Sequence, residues 1–171
     1  MTAICPGSFD PITNGHIDII RRTLCFADRV VVAVCHNVYK DGHFTPQERL
    51  RLIGEALKDV EGYDRVESRV FSGLLVRFFD ECGADIVVRG MRNTAEYERD
   101  LTQAQANRIM NPKFETLYLP ADPAHVFLSS SIVKEIAAFG GDIRGMVPRC
   151  VEDALAAAQT VTLGGSNGIV D

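Results

Sequence analysis

Two glycines, hydroxyl side chains and a histidine stand together in Gly7-Ser8-Phe9-Asp10-Pro11-Ile12-Thr13-Asn14-Gly15-His16, between a short apolar run and an amphipathic one. Thr2 to Cys5 is apolar enough for a buried strand, and Gly15 to Ala27 carries Ile17, Ile20 and Leu24 at helical spacing. His16 therefore falls in a first helical turn. Free backbone N–H groups and the positive end of the helix dipole favour an anion there, and an imidazole adds a further donor. Glycines let the backbone come close to phosphate oxygens.

The elements around this segment alternate. Asp28 to Cys35 is a β-branched run with little polar alternation, as in a strand buried on both faces. The polar loop Asn37 to Phe44 leads to Thr45-Pro46-Gln47-Glu48, a capping box with proline at the first helical position, and the helix continues through Leu50, Ile53 and Leu57. Arg65 to Phe71 reads as a third strand. Ser72 to Cys82 reads as a helix with Leu74, Leu75, Phe78 and Phe79 inward, ended by Gly83. Ala84 to Arg89 is a fourth strand, and Asn93-Thr94-Ala95-Glu96 a second box-like cap before a helix that runs to about Met110, where Asn111-Pro112 stops it. Phe114 to Leu119 is the fifth strand. Ser129-Ser130-Ser131 opens a helix that stops at Gly140-Gly141, and a last helix follows Pro148 to about Gln159. The division is one domain, 1–159, and a C-terminal tail, 160–171, of turn composition.

Strands and helices in this alternation imply an α/β fold, a Rossmann-like three-layer sandwich with a five-stranded parallel sheet. Ligands of such sheets bind at the carboxyl ends of the strands, where the strand order reverses. Strand one is followed by Ser8 and His16, strand two by Lys40, strand four by Arg89 and Arg92, and strand five by His125 and the three serines. One rim thus collects a lysine, two arginines and two histidines, a set suited to several phosphate charges.

The totals agree with a local anion site. The chain has 171 residues, 24% charged and 46% hydrophobic, and a net charge of −5 with histidines neutral, so no bulk positive field gathers nucleic acid. No apolar run is long enough to span a bilayer and no leader pattern opens the chain, so the expected location is the cytoplasm, away from membranes. Five cysteines, Cys5, Cys25, Cys35, Cys82 and Cys150, without C-x-x-C spacing suggest reduced, mostly buried thiols. His36 and His43 read as ordinary polar residues, and Asp10, ahead of Pro11, as a loop-shaping residue.

The quartet Thr13-Asn14-Gly15-His16 resembles the T/H-x-G-H signature of the nucleotidyltransferase superfamily. The ten-residue run containing it resembles one branch in particular, the bacterial phosphopantetheine adenylyltransferases, and the likeness extends over residues 3–158. It implies transfer of the adenylyl group of ATP to 4′-phosphopantetheine, giving 3′-dephospho-coenzyme A and pyrophosphate. In that resemblance His16 contacts the α-phosphate of ATP and stabilises the transferring charge, and Ser8 touches nucleotide and acceptor. Lys40 binds the acceptor phosphate and the transition state, Arg89 pairs with the phosphate of phosphopantetheine, and Leu75 lies against the pantetheine arm. Phe9, Gly90, Met91, Arg92, Asp100 and the run His125, Val126, Phe127, Leu128, Ser129, Ser130 and Ser131 hold the nucleotide. The resemblance further implies Mg²⁺ carried by ATP rather than by a protein metal site, coenzyme A as a feedback ligand, and a homohexamer.

Three positions depart from the pattern: Asp100 where glutamate is common, His125 where an aromatic residue is usual, and Gly73 where aspartate is frequent. Leu128-Ser129-Ser130-Ser131-Ile132-Val133-Lys134 favours a pantetheine enzyme over the R-T-x-G-I-S-T-T pattern of cytidylyltransferases or the I-S-S-T-x-I-R pattern of nicotinate mononucleotide adenylyltransferases. A class I aminoacyl-tRNA synthetase would need a K-M-S-K-S-like loop and more chain. A nucleotide-sensing protein without turnover is the rival of a different class, and Ser8, His16, Lys40 and Arg89 argue against it.

Overall fold

A computed structural model describes residues 1–36 and 42–164. The strands β1 Thr2–Gly7, β2 Arg29–Cys35, β3 Val66–Phe71, β4 Ile86–Met91 and β5 Thr116–Pro120 form one sheet in the order β3-β2-β1-β4-β5, with every pairing parallel. Among the described residues the helices are α1 Asn14–Thr23, α2 Pro46–Leu57, α3 Leu75–Glu81, α4 Thr94–Met110, α5 Ser130–Ala138 and α6 Arg149–Gly164. The expected Rossmann-like sandwich is the observed fold.

Side chains that alternate along each strand divide between two cores. Ala3, Cys5, Val30, Val32, Val34 and Val88 pack with Ile20 and Leu24 of the α1 segment, Leu52, Ile53 and Leu57 of α2, Val133 of α5, and Val151 and Leu155 of α6. Ile4, Val31, Ala33 and Val87 face the other way, against Val76, Phe78 and Phe79 of α3 and against Phe114. A sheet covered on both faces explains why β2 reads as an unbroken apolar run.

Several boundaries differ from expectation. α1 ends at Thr23, not Ala27, because Cys25 N–H and Phe26 N–H turn to the carbonyls of Arg22 and Thr23, three residues back, which tightens the last turn. α3 begins only at Leu75, after Gly73 has taken a φ of +93°. Leu74 therefore stands outside the helix and is 50% exposed, not inward, and Val76 fills the core place assigned to it. β4 runs on through Gly90 and Met91, which pair with Leu119 and Pro120. α6 reaches Gly164, past the expected end at Gln159, and residues 165–171 of the expected tail lie outside the described residues. The cysteines are all free, but only Cys5 and Cys82 are buried. Cys25 and Cys35 are exposed, because one follows α1 and the other ends β2 at the sheet's rim.

Candidate active site

The order β3-β2-β1-β4-β5 reverses direction between β1 and β4, so the loops leaving these two strands part and leave a crevice. A cleft of about 390 Å³ opens there, lined by the segment after β1, the end of β4, one face of α4 and the start of α5. It collects Ser8, Phe9, His16, Arg89, Gly90, Arg92, Asp100, His125, Leu128, Ser129, Ser130 and Ser131 from the residues expected at the site. Met91, Val126 and Phe127 do not line it; Met91 completes β4, and Val126 and Phe127 are exposed on the surface. Leu75 lines a separate small cleft that shares Arg89 and Asp100 with the main one. Lys40 lies outside the described residues.

His16 is held by the helix it helps to start. Thr13 is the N-cap of α1, its hydroxyl accepting from His16 N–H at 3.4 Å, while Thr13 N–H donates back to His16 Nδ1 at 3.0 Å. This is a capping box with histidine in the place of glutamate. Because Nδ1 accepts a backbone N–H, the neutral ring carries its proton on Nε2. The ring of Phe9, at a φ of 46° and buried in the core, packs against the imidazole with centroids 5.0 Å apart. Phe9 in turn has room because residue 7 is glycine: a Cβ there would lie 3.0 Å from the Phe9 ring.

Burial and the positive charge of Arg92 push the His16 pKa down from 6.5 to about 4. Between these values the unfolded chain binds a proton that the native protein does not. His16's contribution to stability is therefore complete above about pH 6.5 and is lost as the pH falls towards 4. An NMR titration of the imidazole should show a midpoint near 4, and His16→Asn should flatten the fall of Tm across that window. A midpoint above 6 would contradict this environment for the ring.

The cations of the cleft differ in how tightly the protein holds them. Arg92 is committed on both sides, with Nε donating to Glu96 at 3.1 Å, Nη2 paired with the same carboxylate, and Nη1 bonded to the Leu128 carbonyl. Among the described residues Arg89 has only long contacts, 3.5 Å to the Pro6 carbonyl, 3.5 Å to the Gln103 side chain and 3.9 Å to Asp100. It is the more available of the two for an anion. Across the cleft Ser129 caps α5 by accepting from Ile132 N–H at 3.1 Å, and Ser130 Oγ donates to the Pro11 carbonyl at 2.8 Å, tying the triple serine to the loop after β1. Two helix N-termini, those of α1 and α5, thus meet at one cleft.

Asp10 shapes this region as expected. Its buried carboxylate accepts from His43 N–H and Phe44 N–H at 2.9 Å each and from Lys134 Nζ at 3.1 Å, and Arg49 lies 3.4 Å away. Burial alone would raise its pKa, but the two amides and Lys134 outweigh it and the net shift is downward. Arg49 also donates to the Ser8 carbonyl at 3.3 Å, so the loop after β1, the entry to α2 and the body of α5 are joined at one carboxylate.

Glu96 and Arg99 also line the cleft, although the strand-end loops gave no reason to single them out. Their signal is helical: Glu96, Arg99, Asp100 and Gln103 recur at three- and four-residue steps, which places them on one face of α4.

Such a cleft can bind a polyphosphate and place a second anion beside it. A cytidylyltransferase-like family model matches residues 4–136. Phosphopantetheine adenylyltransferases from Syntrophotalea carbinolica and Rubrobacter xylanophilus are each 51% identical to this chain, the first over 90% of both chains and the second over 85% of this chain and 87% of its own. The chain belongs to the phosphopantetheine adenylyltransferase family. The member from Thermobifida fusca, 45% identical over 90% of this chain and 92% of its own, extends the match to a further genus. A solved structure from Vibrio parahaemolyticus, described as a nicotinate-nucleotide adenylyltransferase, superposes with a TM-score of 0.66 over 92% of this chain and 94% of its own at 17% identity. At that identity it speaks for the family's fold alone.

Proposed function

We propose that this chain transfers the adenylyl group of ATP to 4′-phosphopantetheine, releasing pyrophosphate and 3′-dephospho-coenzyme A, a step of coenzyme A synthesis. The observation that carries the reading is the convergence of His16, Arg89 and the Ser129–Ser131 turn on one cleft, in a chain that matches the family along most of its length.

An oxygen of the acceptor phosphate attacks the α-phosphorus of ATP, the bond from that phosphorus to the bridging oxygen breaks, and pyrophosphate leaves with the electron pair. The acceptor oxygen is already ionised and the leaving group is a stable anion, so no general base is needed. The protein's work is alignment and stabilisation of charge on the transferring group. His16 Nε2–H donates to an α-phosphate oxygen. Ser129, Ser130 and Ser131 with the N-terminus of α5 hold the β- and γ-phosphates, aided by Gly90 and Arg92. His125, Phe9 and Asp100 bound the nucleoside, with Met91, Val126, Phe127 and Leu128 carried in the same segments. Arg89 and Lys40 take the acceptor phosphate, Ser8 touches both substrates, and Leu75 meets the arm.

Magnesium enters as part of the substrate, MgATP. The cleft carboxylates Glu96 and Asp100 each face an arginine, and among the described residues no trio of acidic, histidine or cysteine side chains is grouped to hold a metal. A homohexamer belongs to the same reading and would cover apolar side chains such as Ile109, 84% exposed, and Phe139, 86% exposed. Coenzyme A, which contains the product's own parts, would compete for the cleft, and the reaction would run in the cytoplasm.

Pyrophosphate release with ATP tests the reading directly. Turnover is expected with 4′-phosphopantetheine and not with nicotinate mononucleotide or glycerol 3-phosphate. Turnover with either alternative in preference to the first would overturn it.

A further inference from the structure

Among the described residues, two buried side-chain polar atoms have no hydrogen-bond partner in the protein: His125 Nδ1 and the Tyr118 hydroxyl. A buried hydroxyl left unpaired costs free energy that its phenylalanine counterpart would avoid. Both orphans lie at clefts. His125 lines the large one, and Tyr118 lines the small one beyond Arg89.

The two clefts differ in chemistry. The large one carries His16, Arg92, Arg99 and the serines, a setting for phosphate charge. The small one begins at Arg89 and Asp100 and continues past Leu75 and Phe114, where its polar groups are the uncharged ones of Gln103, Asn107, Thr116 and Tyr118. An uncharged chain with amide groups suits that lining, and the acceptor's arm is such a chain. The space amounts to about 10 Å³, the lower limit for one water-sized group, so the arm would pass over its mouth and no more than a carbonyl oxygen would enter.

Tyr118 is fixed in place. It sits in β5, paired with Arg89 of β4, and its ring meets Tyr97 of α4 edge to face at 5.1 Å between centroids. Burial, and then the Asp100 carboxylate, raise its pKa, so the phenol keeps its proton and remains a donor.

We infer that the Tyr118 hydroxyl is a specificity-determining group of the acceptor site, donating a hydrogen bond to a carbonyl of the arm when the acceptor's phosphate is seated on Arg89. This rests on the acceptor proposed above. The hydroxyl distinguishes an acceptor with an amide-bearing arm from a bare phosphomonoester, because only the former can pair the buried donor.

Tyr118→Phe in the full-length chain tests the inference. By calorimetric titration the variant should bind 4′-phosphopantetheine about three- to tenfold more weakly, the effect of losing one neutral hydrogen bond. KM for the acceptor should rise in step, and KM for ATP should stay within twofold. Tm should hold or increase, because an unpaired buried hydroxyl has been removed. Unchanged acceptor affinity in the variant, with normal turnover by the parent, would mean that water alone satisfies the hydroxyl and would overturn this role while the proposed reaction stands. Equal weakening of ATP and acceptor, or a fall in Tm, would mark a structural role and also overturn it. Absence of turnover by the parent with 4′-phosphopantetheine would overturn both.

Discussion

Replacing His16 by alanine is expected to lower kcat by about 10²- to 10³-fold, roughly 3 to 4 kcal/mol, with the fold retained. The magnitude is that of removing one oriented donor from the charge that develops during group transfer. The structure gives the donor its orientation at no cost in the reaction: Nδ1 is occupied by Thr13 N–H, the Phe9 ring backs the imidazole, and a pKa near 4 keeps the ring neutral at physiological pH, with Nε2–H as donor. Alanine also strips the N-cap amide of its partner, so part of any loss could come from α1 itself. His16→Asn separates the two effects. Its amide reaches the place of Nδ1 and can retain the cap, but not the place of Nε2. The asparagine variant should keep a parental Tm near neutral pH and still lose turnover like the alanine variant, whereas His16→Gln, which reaches the Nε2 position, should recover part of it. Steady-state pyrophosphate release alongside thermal melting gives both quantities. An alanine variant within threefold of the parent would refute the assignment of His16 to the transferring phosphate.

The parts of the site legible in the sequence are those built on strand ends. A βα alternation fixes where loops leave the sheet, so the chain's order of elements already puts Ser8, Arg89 and the triple serine on one rim. The glycine-rich run also marked its own helix start. What remained hidden was of another kind. Thr13-Asn14-Gly15-His16 has the four-residue spacing of a capping box, but histidine stands where glutamate or glutamine is usual, so the pattern does not announce the mutual bond that selects the tautomer. By pattern Glu96 is the closing half of a cap at Asn93. Its amide N–H does bond to the Asn93 side chain at 2.9 Å, but its carboxylate turns to Arg92, a charged partner of greater strength than a cap amide. Arg99 carries no such signal, because α4 has no buried residue and hence no apolar stripe from which to count its faces. Leu74 falls inward only on a helical period that starts at Ser72, three residues too early; the left-handed turn at Gly73 delays the helix to Leu75 and turns Leu74 to solvent.

Arg89→Ala should produce a loss of similar size to that at His16, divided differently between the kinetic constants. Charge-assisted hydrogen bonds contribute about 1.5–3 kcal/mol each, and a guanidinium can offer two parallel ones to a phosphate. The expected fall in kcat/KM for 4′-phosphopantetheine is therefore about 10²- to 10⁴-fold, with KM for ATP changed far less because the nucleotide phosphates have Arg92, the serines and two helix N-termini. Stability should scarcely move, since the contacts Arg89 makes with the described residues are all 3.5 Å or longer. Removing the guanidinium also leaves Asp100 without its neighbouring cation, and the bare carboxylate then repels the incoming phosphate. Arg89→Lys keeps the charge beside Asp100 but not the planar fork, so it should fall between parent and alanine variant. If Arg89→Ala instead raised KM for ATP as much as for the acceptor, Arg89 would belong to the nucleotide's phosphates. The acceptor would then approach without Arg89, and the small cleft beyond it would lose its link to the arm.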